Sequence, residues 1–321
     1  MQERSLKIAV GHIKTRHLQL LTQLMQDGSL VHAAEALGMS QSAASKLLTN
    51  LENDVGVALF VRHARGVVPT AYGEILTRRA AAALAEIARA TEEMEDVRRG
   101  NRVPLSIGSL LSPSSTYLPT ALLRLAKVAP EILVKVHVDT SRALVEGLME
   151  ARFDLVVARV RDASLEPELM FDPVVAEPIC VVARSGHPLA HRRKLKLADL
   201  IDQPWILPPA GADLRARMDA LCIQQGLPLI TSLMETLSAP VMLSTVRMSD
   251  ALVLLPEEFA RPYCANGWLS VLNIQLGVRS ENFGVITRRH RQASPQVQLA
   301  LEVFRQAARD IYGPAAAAVG P

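Results

Sequence analysis

Residues 29–70 read SLVHAAEALGMSQSAASKLLTNLENDVGVALFVRHARGVVPT. Ser29 is placed to cap a short helix over residues 30–37. Gly38 breaks that helix, and Met39 is an apolar residue inside the turn. Ser40 caps the next helix, where Ala44, Leu48, Leu51 and Val55 recur at steps of 4, 3 and 4 and make one buried face. Ser40, Gln41, Ser42, Ser45 and Lys46 cluster at the start of that helix, off its apolar face. Small Ala33 and Ala34 let the two helices approach closely, which is the pattern of a helix-turn-helix. The second helix of such a motif offers its first residues to the major groove. Gln pairs with adenine, Lys reaches guanine, and Ser donates to a phosphate or a base. The plainer reading is a small helical bundle with polar helix ends.

Upstream, His17, Leu18, Leu21, Leu24 and Met25 repeat at helical spacing until Asp27-Gly28 stops the helix. Downstream, residues 59–70 place apolar flanks around a basic, glycine-containing turn. They predict a short hairpin, a wing whose Arg62 and Arg65 meet phosphates or the minor groove. The alternative is a solvated loop with two ordinary arginines. Thr70 then caps a long helix over residues 71–99. In it Leu76, Ala80, Ala83, Ile87, Ala90, Met94 and Val97 step by 4, 3, 4, 3, 4 and 3. A 3.5-residue repeat predicts a pairing seam and a homodimer. The alternative is a helix lying on its own domain.

From Val103 the pattern changes to short β-type runs alternating with helices. Strands are expected at 103–110, 132–138 and 154–160, and helices at 117–128 and 143–150. A second block adds strands at 174–183, 229–234, 251–255 and 269–274, with helices at 214–225 and 240–247. Such alternation predicts βαβ units and a mostly parallel sheet. Val285 and Ile286 lack a local partner. A return of 283–287 to the first block gives two α/β lobes crossed twice by the chain, closed by a helix at 296–311.

Composition sets outer limits. The 321 residues are 49% hydrophobic and 21% charged, which fits a globular chain of two or more domains. The longest apolar runs, such as 251–256, are far short of a membrane span. The N-terminus lacks the pattern of a secretory signal. Three widely spaced cysteines (Cys180, Cys222, Cys264) fit reduced thiols in a cytoplasm. The net charge is only +3, and residues 1–72 hold seven Lys+Arg against five Asp+Glu. Any contact with DNA is therefore local, not that of a polycation. No GxGxxG, P-loop, HExxH or CxxC pair is present, so neither catalysis nor a cofactor or metal is expected. His187 and His191 flank Pro188 in an Arg-rich loop, a poor setting for a metal.

The stretch Ala33-Ala34-Glu35-Ala36-Leu37-Gly38-Met39-Ser40-Gln41-Ser42-Ala43-Ala44-Ser45-Lys46 carries a family likeness. So do Leu51-Glu52, Gly56-Val57, Leu59-Phe60, Arg62, Arg65-Gly66 and Thr70. Together they resemble the winged helix-turn-helix of LysR-type transcriptional regulators. His187-Pro188-Leu189-Ala190 and Phe153-Asp154-Leu155-Val156-Val157 look like that family's effector domain. Ser42 stands where the family often has proline. Pro69, Tyr72-Gly73 and residues 247–251 look like the branch controlling aromatic-acid catabolism or sugar-binding-protein genes.

The resemblance implies an α/β chain with an N-terminal all-α winged helix-turn-helix domain (1–70) and a dimerisation helix (71–100). A two-lobed periplasmic-binding-protein-like effector domain (101–312) follows, with lobe I at about 101–168 and 275–312 and lobe II at about 169–274. A low-complexity tail (313–321) is expected to be disordered. The resemblance also implies dimers that assemble to a homotetramer on a promoter palindrome of double-stranded DNA, answer a small-molecule effector and act on RNA polymerase, with no membrane. The effector is expected to be a small organic or aromatic acid. The alternatives are a sugar-responsive regulator, or an enzyme fused to a DNA-binding domain.

A cleft between α/β lobes at strand carboxyl ends is the expected ligand position. Ser112, Thr140, Ser141, Pro209, Gly211 and Ser249 sit on loops next to the expected strands. Each hydroxyl has an ordinary reading as a helix cap. Arg159 ends the third strand, where it either faces an effector carboxylate or forms a hinge salt bridge to an acid of the other lobe.

Overall fold

The computed structural model describes residues 12–63, 66–100, 104–160, 167–277, 279–289 and 293–313. Arg65 of the expected wing, the Val97 side chain of the expected seam and the tail from 314 lie outside the described residues.

The first three helices are α1 (Thr15–Asp27), α2 (Leu30–Ala36) and α3 (Gln41–Val55). Ser29 and Ser40 cap α2 and α3, accepting from the amides of His32 and Ala43. Leu20, Leu21 and Leu24 of α1 meet Ala33 and Ala34 of α2 and Ala44, Leu48 and Leu51 of α3 in one core. Each fully buried leucine contributes about 1.5–3 kcal/mol. The antiparallel hairpin β1 (Phe60–His63) and β2 (Gly66–Pro69) follows. Glu52 of α3 holds its base, accepting from the amides of Leu59 and Phe60 at 2.8 and 3.1 Å.

Helix α4 (Ala71–Arg98) starts at Thr70, whose hydroxyl accepts from the Gly73 amide at 3.1 Å. Two glycines permit close backbone crossings. A Cβ on Gly73 would overlap the Leu59 carbonyl oxygen, and one on Gly66 would overlap that of Gly28. Gly66 also has φ +141°, which disfavours any side chain.

The chain divides into two compact units, Met1–Asn101 with Met149–Arg152, and the rest. The second is an α/β unit. It runs β3 (Pro104–Ser109), α5 (Tyr117–Val128), β4 (Leu133–Val138), α6 (Ser141–Met149), β5 (Leu155–Ala158) and β6 (Leu169–Arg184). Next come β7 (Trp205–Leu207), α7 (Asp213–Gln224), β8 (Ser232–Glu235), α8 (Ala239–Met248), β9 (Leu252–Pro256) and α9 (Glu257–Ala265). It closes with β10 (Leu269–Val271), β11 (Arg279–Arg288) and α10 (Pro295–Tyr312).

The strand order is β4-β3-β5-β11-β6-β9-β7-β8, with β10 also on β6. The sheet is not mostly parallel. β3 pairs parallel with β4 and β5, and β7 with β8 and β9, but β11 and β6 run antiparallel to their neighbours. The antiparallel strands are the two crossings between lobes. Residues 169–178 of β6 ladder with β11 in the first lobe, and Ile179–Val182 ladder with β9 in the second. Val285 and Ile286 return to pair with Val157 and Val156 of β5.

Strand β9 is buried throughout, because both its faces are covered. Leu252 and Leu254 join the core with Trp205 and Leu221, while Val253 and Leu255 join Val246 and Phe259. In the first lobe Tyr117 packs edge-on against Phe304 of α10 and donates its hydroxyl to the Phe304 carbonyl at 3.1 Å. Helix α9 has no counterpart in the sequence reading, since Pro262 interrupts its pattern.

Candidate functional site

The first site is the start of α3. Gln41, Ser42 and Lys46 are exposed and Ser45 is half-buried, while Ala44, Leu48, Leu51 and Val55 are buried. Ser40 and Ser42 share a hydroxyl contact of 3.0 Å. Proline at position 42 could not make that contact. Arg62 of the wing donates to Ser45 Oγ at 2.7 Å, so both basic-wing and helix groups share one surface.

Helix α4 divides its apolar seam. Leu76 and Ala80 pack into the helix-turn-helix core, with Ala80 only 1% exposed. Ala83, Ile87, Ala90 and Met94 face outward, Ile87 at 56% and Met94 at 73% exposure.

The second site is a cleft of about 700 Å³, counted with its open mouth, in the α/β unit. Its walls come from residues just past strand carboxyl ends: Leu110 to Ser112 after β3, Asp139 to Ser141 after β4, and Arg159 after β5. Pro208 after β7, Thr236 and Leu237 after β8, Ala212 and Asp213 at the start of α7, Met242 of α8 and the carboxyl end of β9 also line it. Four of the expected residues, Ser112, Thr140, Ser141 and Arg159, thus meet in one cavity.

Three expected residues do not line it. Pro209 and Gly211 belong to the same turn, but Pro208 and Ala212 present to the cavity instead. Ser249 lies at the amino end of β9, the wrong end of the strand. Its hydroxyl donates to the Thr245 carbonyl at 2.7 Å and accepts from the Ala251 amide at 3.2 Å. It ends α8 and takes no part in the cleft. Thr236, Leu237 and Met242 were missed. The signal for the first two was their place just after an expected strand.

Behind the cleft wall lies a buried polar network. Arg159 is 5% exposed, and its Nη2 lies 2.8 Å from Glu177 Oε2. Its Nε donates to the Glu281 carbonyl at 2.9 Å, and Nη2 also donates to Ser280 Oγ at 3.2 Å. Ser112 donates to the Glu177 carboxylate. The Arg159 amide donates to Ser141 Oγ at 3.2 Å. Burial pushes the Glu177 carboxyl above its ordinary value, opposed by the Ser112 hydrogen bond and the charge of Arg159. Glu177 was missed by sequence reading. A lone acid in the run 174–183 was its only mark.

Other polar candidates have structural duties. His187 is 1% exposed, and its Nδ1 accepts from the Leu189 amide at 3.1 Å. Burial pushes the Cys180 thiol up to about 12. Among the described residues no helix is long and apolar enough to cross a membrane.

Comparisons with known proteins agree with this two-unit plan. Residues 15–74 match the family described as "Bacterial regulatory helix-turn-helix protein, lysR family", and residues 98–309 match the "LysR substrate binding domain". The chain is 33% identical to the HTH-type transcriptional regulator GbpR of Azospirillum brasilense over 298 residues, 92% of this chain and 87% of that protein. Full-length CbnR complexed with its target DNA has the same fold. Its TM-score is 0.53 at 22% identity, covering 92% of this chain and 100% of that one. The effector-binding domain of QuiR in complex with shikimate covers 66% of this chain and 99% of its own, with TM-score 0.56 and 17% identity. The chain belongs to the LysR family of transcriptional regulators, with a helix-turn-helix domain followed by an effector-binding domain, and is not an enzyme.

Proposed function

We propose that Gln41, Ser42, Ser45 and Lys46 read an interrupted palindrome in duplex DNA, with Ser40 shaping the helix start and Arg62 and Arg65 gripping the backbone. The observation that carries this reading is the polar, exposed first turn of α3 on a helix whose other face is buried. Pairing of α4 through Ala83, Ile87, Ala90 and Met94 makes the dimer, and two dimers make the homotetramer. The protein acts on RNA polymerase at promoters in the cytoplasm. The effector binds among Ser112, Thr140, Ser141 and Arg159. It acts by favouring one arrangement of the assembly over another through unequal affinity. Footprinting on the duplex upstream of the protein's own gene tests the reading. An interrupted, salt-sensitive protected site is expected, and the absence of any such site would remove it.

A further inference from the structure

The side chains lining the cleft include three that carry charge: Asp139, Asp213 and Arg159. Arg159 is opposed by Glu177 at 2.8 Å. Asp213 is opposed by Arg217 at 3.0 Å, which also meets Glu281 at 2.9 Å. Asp139 accepts from the Thr140 amide at 2.7 Å and has the exposed His137 ring at 3.5 Å. The lining cation is thus already committed, and the remaining charges are acidic.

Glu177 cannot easily be moved aside. Its amide donates to Ser280 Oγ at 3.1 Å, and its carbonyl accepts from the same hydroxyl at 2.9 Å. The crossing of β6 and β11 therefore fixes its backbone, and Ser112 and Arg159 hold its carboxylate. That carboxylate takes the donors, Ser112 Oγ and the Arg159 guanidinium, that an effector acid would need. An incoming acid would strip Glu177 of its counter-charge while it stays 2% exposed, leaving one buried charge uncompensated. The positive ends of α6 and α7, at Ser141 and Asp213 on the cleft wall, oppose a cationic ligand, and a neutral hydroxyl oxygen can face the same ends without displacing the Glu177 pair. What remains is a set of hydroxyls (Thr140, Thr236) on an apolar lining (Leu111, Leu237, Met242).

Resting on the reading of this cleft as the effector site, we propose that Glu177, from behind the cleft wall, engages the lining Ser112 hydroxyl and Arg159 guanidinium in place of a ligand carboxylate, so that the effector is an uncharged, hydroxyl-bearing molecule with an apolar face. Glu177 is then a specificity-determining residue for ligand charge.

The test is a thermal-shift and titration panel on the full chain. It contains common pentoses and hexoses, their aldonates and amino sugars, and methyl esters of hydroxy acids with the matching free acids. The panel is run on wild type, Glu177→Gln, and Thr236→Trp, which fills the cleft. At least one neutral member is expected to raise the melting temperature and to lose binding in Thr236→Trp. Its acid partner is expected to bind at least about tenfold more weakly, and Glu177→Gln to restore that acid by a similar factor. If Glu177→Gln does not fold, Asp139→Asn lowers the same negative balance without touching the buried pair and is expected to strengthen acid binding. An acid or amine that binds wild type at least as well as its neutral partner, but is lost in Thr236→Trp, overturns the ligand class and leaves the site standing. A ligand whose binding survives Thr236→Trp overturns the site itself. A panel with no neutral binder overturns the proposal.

Discussion

Arg62 Nη2 donates to Ser45 Oγ at 2.7 Å, joining the first strand of the wing to the helix that carries Gln41 and Lys46. Arg62 is exposed and Ser45 only half-buried, so their bond positions groups more than it stabilises the fold. Arg62→Ala is expected to change the melting temperature little, with a stability effect under about 1 kcal/mol. Duplex binding is expected to weaken alike on all sequences, and the slope of log K against log salt to fall by about 1. Binding titrations at several salt concentrations check both. An unchanged slope would show that Arg62 serves Ser45 and not a phosphate.

The Arg159–Glu177 pair is the stability counterpart. Removing one partner strands a buried charge, which costs about 3–5 kcal/mol. Arg159→Met alone is expected to lower the urea midpoint strongly. The double change Arg159→Met with Glu177→Leu is expected to recover most of the loss, because well-packed apolar groups replace a buried pair at little cost. Equal losses in the single and double variants would show that the residues are not coupled.

Helix α4 gives two separable outcomes from one seam. Ile87→Asp places a charge on the outward stripe and is expected to yield folded monomers in sedimentation. Ala80→Asp buries a charge inside the helix-turn-helix core, where Ala80 is 1% exposed, and is expected to unfold that unit. Far-ultraviolet circular dichroism separates the cases. A folded Ile87→Asp chain that keeps its oligomeric state would refute the pairing stripe.

His17 supplies a pH dependence. Burial holds its imidazolium below the ordinary 6.5, with Lys14 adding to the effect and Asp54 opposing it. Its Nδ1 also accepts from the Lys14 amide at 3.1 Å, a bond that protonation of that nitrogen would break. Well above pH 6.5 the ring is neutral both folded and unfolded, and this contribution is fully present. As pH falls below 6.5 the unfolded ring takes a proton that the folded ring resists, so stability is lost. The urea midpoint of the helix-turn-helix transition is expected to drop between pH 7.5 and 5.5 in wild type. The drop is expected to shrink in His17→Gln.

How much of this was legible varies from element to element. Helix α5 was expected at 117–128 and spans those residues. The caps at Ser29, Ser40 and Thr70 each receive the amide bond their position implied. Ser249 shows the limit. Sequence spacing brought it near a strand but could not say that it stands at the amino end, away from the cleft.

By itself, then, the sequence determined the local elements: the helix-turn-helix, the hairpin beside it, the long helix and the alternation that builds two lobes. Those follow from periodicity and capping, which act over a few residues. Only the tertiary structure decided that Arg159 pairs with Glu177, which half of the α4 seam is already buried, and which loops share the cleft. Those outcomes depend on the register of β6 against β11 and on pairings between residues more than a hundred positions apart in the chain, such as Arg159 with Ser280. Such choices are made by the packing of whole strands and leave no periodic trace in the neighbouring residues.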